Sequence, residues 1–431
     1  MRFLGIGDYC DLSSLYLRLL ADGYQVKIYI AKPLCRDTLA GMVTHVADWR
    51  DELAWLREAG DQGIALFENA AEQRGALQDQ LRRDGYHVIG GSAYGDRLEN
   101  DRAFAQAVLG KIGLSICPVH EFSARQRAID FLHEHPGRYV LKFNGPMESF
   151  VGRLEDGRDV CAFLAGLPPA SGEQESFILM QYVHGIEMGV GAYFDGEKFL
   201  KPSCLDWEHK RFFPGDLGEL TGEMGTVVTY ERKGRFHDLT LGRMESLLRE
   251  GGYCGYINLN TIVNEQGIWP LEFTCRFGYP GYAILDPLQE TRWSDLFHSM
   301  VTRSAASFRT RSGFSVGIVM TTPPFPYARP DVREPVGLPV LFDESLTEND
   351  RRHLHYGEVG IRDGQLVTSG AYGWTMVVTG VGATIESARD RANRLADRVI
   401  IPNARYRRDI GNRLIGGDFA RVEALGLLAD R

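Results

Sequence analysis

At 431 residues with 44% hydrophobic content, the chain is long enough for two to four lobes that each bury a core, and its composition is not that of a disordered protein. Its 48 Lys and Arg stand against 57 Asp and Glu, a formal net charge of -9, which weighs against nucleic-acid and anionic-membrane partners because both require a dense basic surface. A small-molecule substrate fits better. The seven cysteines are odd in number and never fall at CxxC spacing, so the sequence suggests neither a disulfide framework nor a zinc site. The N-terminus lacks the charged flank and long apolar stretch of a signal peptide, and no uncharged apolar run approaches the roughly 18 to 20 residues that cross a bilayer. The expectation is a soluble cytoplasmic protein, a monomer or weak homodimer, acting without nucleic acid or membrane.

From the N-terminus, short apolar runs alternate with helical patterns. Strands at 2–6, 25–30, 64–67 and 87–89 and a helix at 12–21 give the pattern of a parallel α/β domain over 1–98. The turn Gly5-Ile6-Gly7-Asp8 offers backbone N–H groups to a phosphate, but Cys10 breaks the GxGxxG spacing, and a glycine turn without a ligand is an equal reading. Phe104, Val108, Leu109 and Ile112 fall at helical spacing over 101–113, with Asp101 suited to the helix dipole and Gly113 to its end. Strands at 139–144 and 177–182, joined through a Gly/Pro/Ser-rich loop at 166–172, suggest a small mobile subdomain at about 115–185. Segments 188–193, 198–201, 256–263 and 269–273 read as an antiparallel sheet with the loop 206–225 inserted, and 285–308 reads largely as helix. Six prolines over 323–339 mark an irregular stretch, after which hairpin strands at 357–364 and 369–379 precede a helix at 385–399.

The stretch "LENDRAFAQAVLGKIGLSICPV", followed in order by "YVLKFNG", "FILMQYVHGIEMGVGAYFDGEKF", "HKRFFPGDLGELTGEMG", "GYINLNTIVNEQGIWPLEFTCRFGYPG" and "RYRRDIGNRLI", resembles phosphoribosylamine-glycine ligase over nearly the whole chain. The resemblance implies an ATP-grasp fold of mixed α/β and α+β lobes: a parallel α/β domain at 1–98, an ATP-grasp domain at 99–310 and a small β-rich domain at 311–431. It implies ATP with Mg2+ or Mn2+ as cofactors and small-molecule carboxylate and amine substrates. ATP would phosphorylate the carboxylate, the amine would attack the acylphosphate, and an amide, ADP and phosphate would result.

The same resemblance implies residue roles. Gln181, Tyr182 and Val183 match a hinge that grips adenine in an apolar slot, and Glu187 matches a carboxylate on the ribose hydroxyls; a buried strand and an exposed hairpin glutamate are the plainer readings. Lys142, inside an apolar strand, matches a catalytic lysine on the nucleotide phosphates, since a buried ammonium needs a partner. Arg102 stands where a second lysine is common, with a solvated helix residue as the alternative, and Lys210 is also assigned to the nucleotide. Glu272 matches the principal metal carboxylate, while Thr274 replaces an asparagine ligand, so the metal site is expected to lean on Asn260 or Asn258 or on a further water. Arg276 is expected to neutralise charge as the phosphoryl group moves. Asp8, Asp206, Arg211, Glu219, Thr221, Gly222 and Glu223 are expected on the substrate side.

The chain departs from the family around that substrate side. Gly7-Asp8-Tyr9-Cys10-Asp11 replaces a glycine-rich Arg-Glu-His loop, "GPMESFVG" at 145–152 brings Glu148 in place of a lid lysine, Glu219, Leu220 and Glu223 replace proline, asparagine and glycine, and Trp374 stands near the place of a cation. Together these changes imply a substrate less anionic than phosphoribosylamine, cationic or aromatic. An authentic phosphoribosylamine-glycine ligase and a non-catalytic nucleotide-binding homologue stay open as alternatives.

Overall fold

The computed structural model describes residues 1–68, 72–143, 149–167, 176–231, 234–327 and 336–428. The lid residues 145–148, Glu148 among them, and the loop residues 168–172 singled out above lie outside the described residues. The chain forms two compact units, one of Met1–Val108, Glu187–Thr261 and Leu271–Arg431, the other of Leu109–Ile186 and Ile262–Pro270.

The first unit begins with β1 (Arg2–Gly7), β2 (Gln25–Ile30), β3 (Thr44–His45), β4 (Gly63–Phe67) and β5 (His87–Ile89), which form one parallel sheet in the order β3-β2-β1-β4-β5. A parallel sheet is covered on both faces, which is why β4 reads Gly-Ile-Ala-Leu-Phe with every residue buried. Helix α1 (Ser13–Ala21) leaves the end of β1 and buries Leu15, Tyr16 and Leu19 at helical spacing.

The second unit holds β6 (Val119–Phe122), β7 (Tyr139–Phe143), β8 (Phe150–Val151) and β9 (Phe177–Gln181), an antiparallel sheet in the order β6-β9-β7-β8. The helices Arg125–Glu134 and Arg158–Gly166 supply Leu132, Val160 and Leu164 to its core, against Leu141, Phe177 and Leu179. Along β7 the two-residue alternation buries Tyr139, Leu141 and Phe143 and leaves Lys142 on the opposite face.

The rest of the first unit is built on β10 (Ile186–Phe194), β11 (Ser203–Glu208), β12 (Arg211–Phe213), β13 (Leu217–Leu220), β14 (Gly225–Glu231), β15 (Gly255–Asn264), β16 (Gly267–Thr274), β17 (Phe314–Thr321), β18 (Leu341–Phe342), β19 (Leu354–Tyr356), β20 (Val359–Arg362), β21 (Gln365–Thr368) and β22 (Trp374–Gly382). Eight of these make a sheet in the order β16-β15-β10-β11-β14-β17-β22-β19, antiparallel at each pairing from β10 to β19. Strands from 311–431 thus continue the same sheet as those before residue 264.

Several sequence readings are corrected. The segment 206–225 is no inserted loop: β11 runs into it, and β12 and β13 pair as a hairpin. Segment 198–201 makes only single bridges, because the Asp195 carboxylate accepts the Glu197 and Lys198 N–H groups at 2.9 and 2.8 Å and folds the chain into a turn. Segments 357–364 and 369–379 do not form one hairpin: β20 pairs with β21, β22 pairs with β17 and β19, and the backbone bonds between the two segments are those of Gly357 to Thr375 and of Glu358 to Trp374 and Ser369. Helix over 285–308 is restricted to Trp293–Thr302 after a 3-10 turn at Asp286–Leu288, where Pro287 cannot donate a hydrogen bond. The helix read over 385–399 stops at Ala396, and a further helix follows at Phe419–Ala424. β14 and β17 were not anticipated, because a short apolar run reads equally as a strand or a buried helix segment.

Ile318 lies in β17 with no exposed surface. Its replacement by alanine is expected to cost about 2–5 kcal/mol, read by urea unfolding of the full chain; a loss under about 1 kcal/mol would contradict a continuous sheet at this position.

Candidate functional site

Alternation along β11 sets the site. Asp206 and Glu208 point to one face of the strand while Leu205 and Trp207 point to the other, and the period carries on to Lys210. The Lys210 ammonium then lies 3.1 Å from Glu208 Oε2, 3.2 Å from Glu187 Oε1 on β10 and 3.1 Å from Glu272 Oε1 on β16. Asn260 on β15 donates to the same Glu187 oxygen at 2.6 Å. Burial works to lower the pKa of Lys210, but Glu208, Glu187 and Glu272 outweigh it and hold the ammonium well above its ordinary value.

Beside this cluster is a cavity of about 310 Å³, lined by Asp206, Glu208 and Glu223 and by Tyr256, Tyr279 and Trp374. Asp206 Oδ2 accepts from Asn258 Nδ2 at 2.6 Å, while Asp206 Oδ1, Glu223 Oε1, Thr226 Oγ1, Tyr279 Oη and Trp374 Nε1 are buried with no hydrogen-bond partner. Burial, reinforced by Glu208, pushes Asp206 up to about 8, and burial with Glu208 and Asp206 pushes Glu223 well above the carboxylate range. Gly189 faces Asp206 across β10 and β11, and a Cβ there would fall 2.2 Å from Asp206 Oδ1, so only glycine leaves room for the carboxylate. The Trp374 indole stacks on Tyr279 with centroids 5.1 Å apart, and the space a Cβ would take at Gly222 lies 3.4 Å from the indole.

Arg276 and Asp11 also line the cavity. Arg276 Nε donates to Glu99 Oε1 at 3.0 Å, and Glu99 Oε2 accepts the Cys275 N–H at 2.8 Å. Burial raises Asp11 to about 6 despite the Arg276 charge. Two further carboxylates fill backbone N–H clusters. Glu68 accepts from Asp11 N at 3.0 Å, Leu12 N at 3.3 Å and Tyr16 Oη at 2.9 Å, just ahead of α1. Glu358 accepts from the successive N–H groups of Ala371, Tyr372, Gly373 and Trp374.

Of the residues predicted from sequence, the structure gathers Glu187, Lys210, Glu272 and Asn260 into one cluster and sets Asp206, Gly222, Glu223, Thr274 and Arg276 around the adjoining cavity. Asp8 is corrected: its buried carboxylate pairs with Arg74 and accepts the Glu72 N–H at 2.8 Å, so its charge is satisfied away from the cavity. Glu219 is corrected likewise, accepting from Tyr327 Oη at 3.0 Å. Arg211 donates to Gly218 O at 2.9 Å within its own hairpin, and Thr221 Oγ1 donates to Lys210 O at 2.8 Å, fixing the backbone of the lysine instead of lining the cavity. Arg102 is half-buried at the start of the helix Arg102–Lys111. Lys142 on β7, Gln181 at the end of β9, Tyr182 under the Arg138 guanidinium and Val183 belong to the second unit. Sequence reasoning missed Glu208, which the alternation Asp206, Glu208, Lys210 could have revealed; it also missed Glu68, Glu99, Glu358 and Tyr279, which carry no local signal.

The oxygens of Glu272, Asn260 and Thr274 are hard and few, which suits a magnesium ion that takes most of its ligands from phosphates and water. Among the described residues no group of three or more His, Cys, Asp or Glu could hold a metal by itself, and no helix is long and apolar enough to cross a membrane.

Residues 100–282 match the family described as phosphoribosylglycinamide synthetase, ATP-grasp (A) domain. The phosphoribosylamine-glycine ligase of Pseudomonas aeruginosa is 27% identical over 357 residues, covering 78% of this chain and 80% of its own, and that of Pasteurella multocida is 26% identical over 439 residues, covering 96% and 98%. The crystal structure of the Thermotoga maritima phosphoribosylamine-glycine ligase superposes with a TM-score of 0.70 at 20% identity, over 95% of this chain and 100% of that one. The biotin carboxylase domain of the Hydrogenobacter thermophilus 2-oxoglutarate carboxylase, solved with MgADP, ADP and bicarbonate, superposes at 0.62 with 11% identity, over 94% and 91%. The fold is that of the ATP-grasp ligases. Within that superfamily, the chain is similar to phosphoribosylamine-glycine ligases over most of its length.

The raised pKa of Asp206 has a definite sign in stability. A carboxyl whose folded pKa exceeds its unfolded value stabilises the fold below about pH 4 and loses that contribution as pH rises towards about 8. Asp206→Asn, which can still accept from Asn258, is therefore expected to raise the melting temperature relative to the parent, with a gap that widens between pH 5 and pH 8; a pH-independent gap would contradict the shift.

Proposed function

We propose that the protein is an ADP-forming carboxylate-amine ligase using MgATP, and that its amine substrate carries no phosphate. The observation that supports the ligase reading is the Lys210 cluster, in which three carboxylates from three strands surround one ammonium beside a cavity of ligand size. In this reading Glu272, with Asn260 and Thr274 oxygens, would hold magnesium, which would supply charge neutralisation for the nucleotide phosphates. Lys210 and Arg276 supply positive charge towards the phosphoryl group, and Glu187 accepts from the ribose hydroxyls. The roles of Lys142, Arg102, Gln181, Tyr182 and Val183 rest on the family match alone.

The absence of a phosphate on the amine is supported by Glu68 and Glu358. The N–H groups ahead of α1 and those of 371–374 are of the kind that bind phosphate, and in this chain each set already serves a carboxylate. A phosphate arriving there would have to displace a carboxyl group already hydrogen-bonded to those donors. The second reading, an authentic phosphoribosylamine-glycine ligase, is favoured by the near-complete coverage of the Pasteurella multocida relative.

ADP release with MgATP and a panel of amino acids and amines separates these. Turnover with a phosphate-free amine is the expected outcome. Glycine with phosphoribosylamine at a kcat/KM of about 10⁴ per molar per second or more would establish the second reading instead. ATP binding with no substrate-dependent ADP would indicate a non-catalytic homologue. Glu272→Gln and Lys210→Met are each expected to lower turnover at least tenfold, since one charge-assisted contact at a phosphoryl-transfer site is worth about 2–4 kcal/mol; parental rates in both would remove the cluster from the active site.

A further inference from the structure

The cavity beside Lys210 has an uneven charge balance. Five carboxylates, of Asp11, Asp206, Glu208, Glu223 and Glu272, share it with two cations, Lys210 and Arg276. Both cations are already committed. Lys210 is held by Glu187, Glu208 and Glu272, and Arg276 by Glu99 with Asp11 close by. Asp206 and Glu223 have no such partner: they are 5% and 7% exposed, and Asp206 Oδ1 and Glu223 Oε1 accept no hydrogen bond. An uncompensated buried carboxylate is costly, and a cation placed against it is what relieves that cost.

The same cavity is also lined by aromatic rings. Trp374 and Tyr279 stack within 5.1 Å, Tyr372 and Phe325 each lie 5.6 Å from the Trp374 ring, and Gly222 carries no side chain to cover the indole. Trp374 Nε1 and Tyr279 Oη are buried and unpartnered, as are the two acidic oxygens. Aromatic faces attract ammonium and guanidinium groups most strongly where water is excluded. A phosphate would find the reverse, a lining of rings and unpaired carboxyl oxygens.

We propose that this cavity binds the amine substrate as an organic cation, an ammonium or guanidinium compound with a flat apolar body, with its charge against Asp206 and Glu223 and its body against Trp374 and Tyr279. The proposal rests on the ligase reading above and names the substrate class for it. Glu223 and Trp374 act here as specificity-determining residues. Burial keeps both Asp206 and Glu223 raised in the free protein, so the arriving cation also supplies the field in which they ionise.

Three probes of one shape test this on the full chain: 2-phenylethylamine, which is cationic at pH 7.5, neutral 2-phenylethanol and anionic 2-phenylethyl phosphate, each titrated by calorimetry with MgATP titrated separately. The amine is expected to bind at least tenfold more tightly than the alcohol, with the phosphate weakest. Glu223→Gln and, independently, Asp206→Asn should each reduce that preference at least fivefold while leaving the alcohol's affinity near the parental value, and Trp374→Leu should weaken amine and alcohol together. Retained alcohol binding shows that a variant is folded. Equal affinity for amine and alcohol, preference for the phosphate, or no binding of any probe up to 10-fold above its aqueous millimolar range would each overturn the proposal. The MgATP titration reads the ligase assignment by itself, so loss of nucleotide binding with intact cation preference would refute only that assignment.

Discussion

A single ammonium held among an excess of carboxylates organises the first unit. Lys210 draws Glu187, Glu208 and Glu272 from three strands to within 3.2 Å, and the cost of gathering those charges away from water is met by its own charge and by the Asn260 amide on Glu187. The geometry depends on neighbours chosen for size: Gly189 leaves room for the Asp206 carboxylate, and Asn258 fixes its second oxygen. Removing the lysine would leave three like charges in one place; removing any one carboxylate would leave the others in better balance. The cluster is therefore more sensitive at its centre than at its rim.

Around that centre the chain repeatedly answers backbone donors with its own acids. Glu68 closes the N–H groups ahead of α1, and Glu358 takes four consecutive N–H groups before β22. Each carboxylate is fixed by several donors, and this gives the N-terminal turn and the 371–374 turn a defined shape without a ligand. Glu68 nevertheless remains difficult to ionise, pushed up to about 8 by burial and by Asp11, with Tyr16 and the two N–H groups only partly offsetting this. The same two turns carry Asp11, Tyr9 and Trp374 to the cavity. The two carboxyl groups thus both occupy potential phosphate cradles and position side chains that line the cavity.

The structural likeness reaches a biotin carboxylase domain at 11% identity, so the fold persists while most side chains differ. The matched region, 100–282, contains Glu187, Lys210, Asn260 and Glu272, whereas Tyr9, Asp11 and Trp374 lie outside it. The cavity therefore combines Asp206, Glu223 and Tyr279 from the matched region with Tyr9, Asp11 and Trp374 from outside it.

The order of motifs along the sequence determined the superfamily, the parallel strands of the first 98 residues, and the cluster members Glu187, Lys210, Asn260 and Glu272, because alternation and motif spacing are local properties that a chain carries unfolded. Glu208 was legible too, two residues before Lys210 on the same strand face. Tertiary structure alone decided which acids matter. Asp8 and Asp11 are three residues apart in one turn, yet Asp8 is neutralised by Arg74 while Asp11 faces the cavity; Glu219 is satisfied by Tyr327, while Glu223, four residues on, is buried without a partner at one oxygen. The partners lie 66 and 108 residues away from Asp8 and Glu219, so no local pattern could distinguish a solvated or paired carboxylate from one turned inward. Likewise the strands beyond residue 311 join the sheet of β10 and β11 through pairings between distant segments, whose register is set by the burial of both faces and not by any neighbour in sequence.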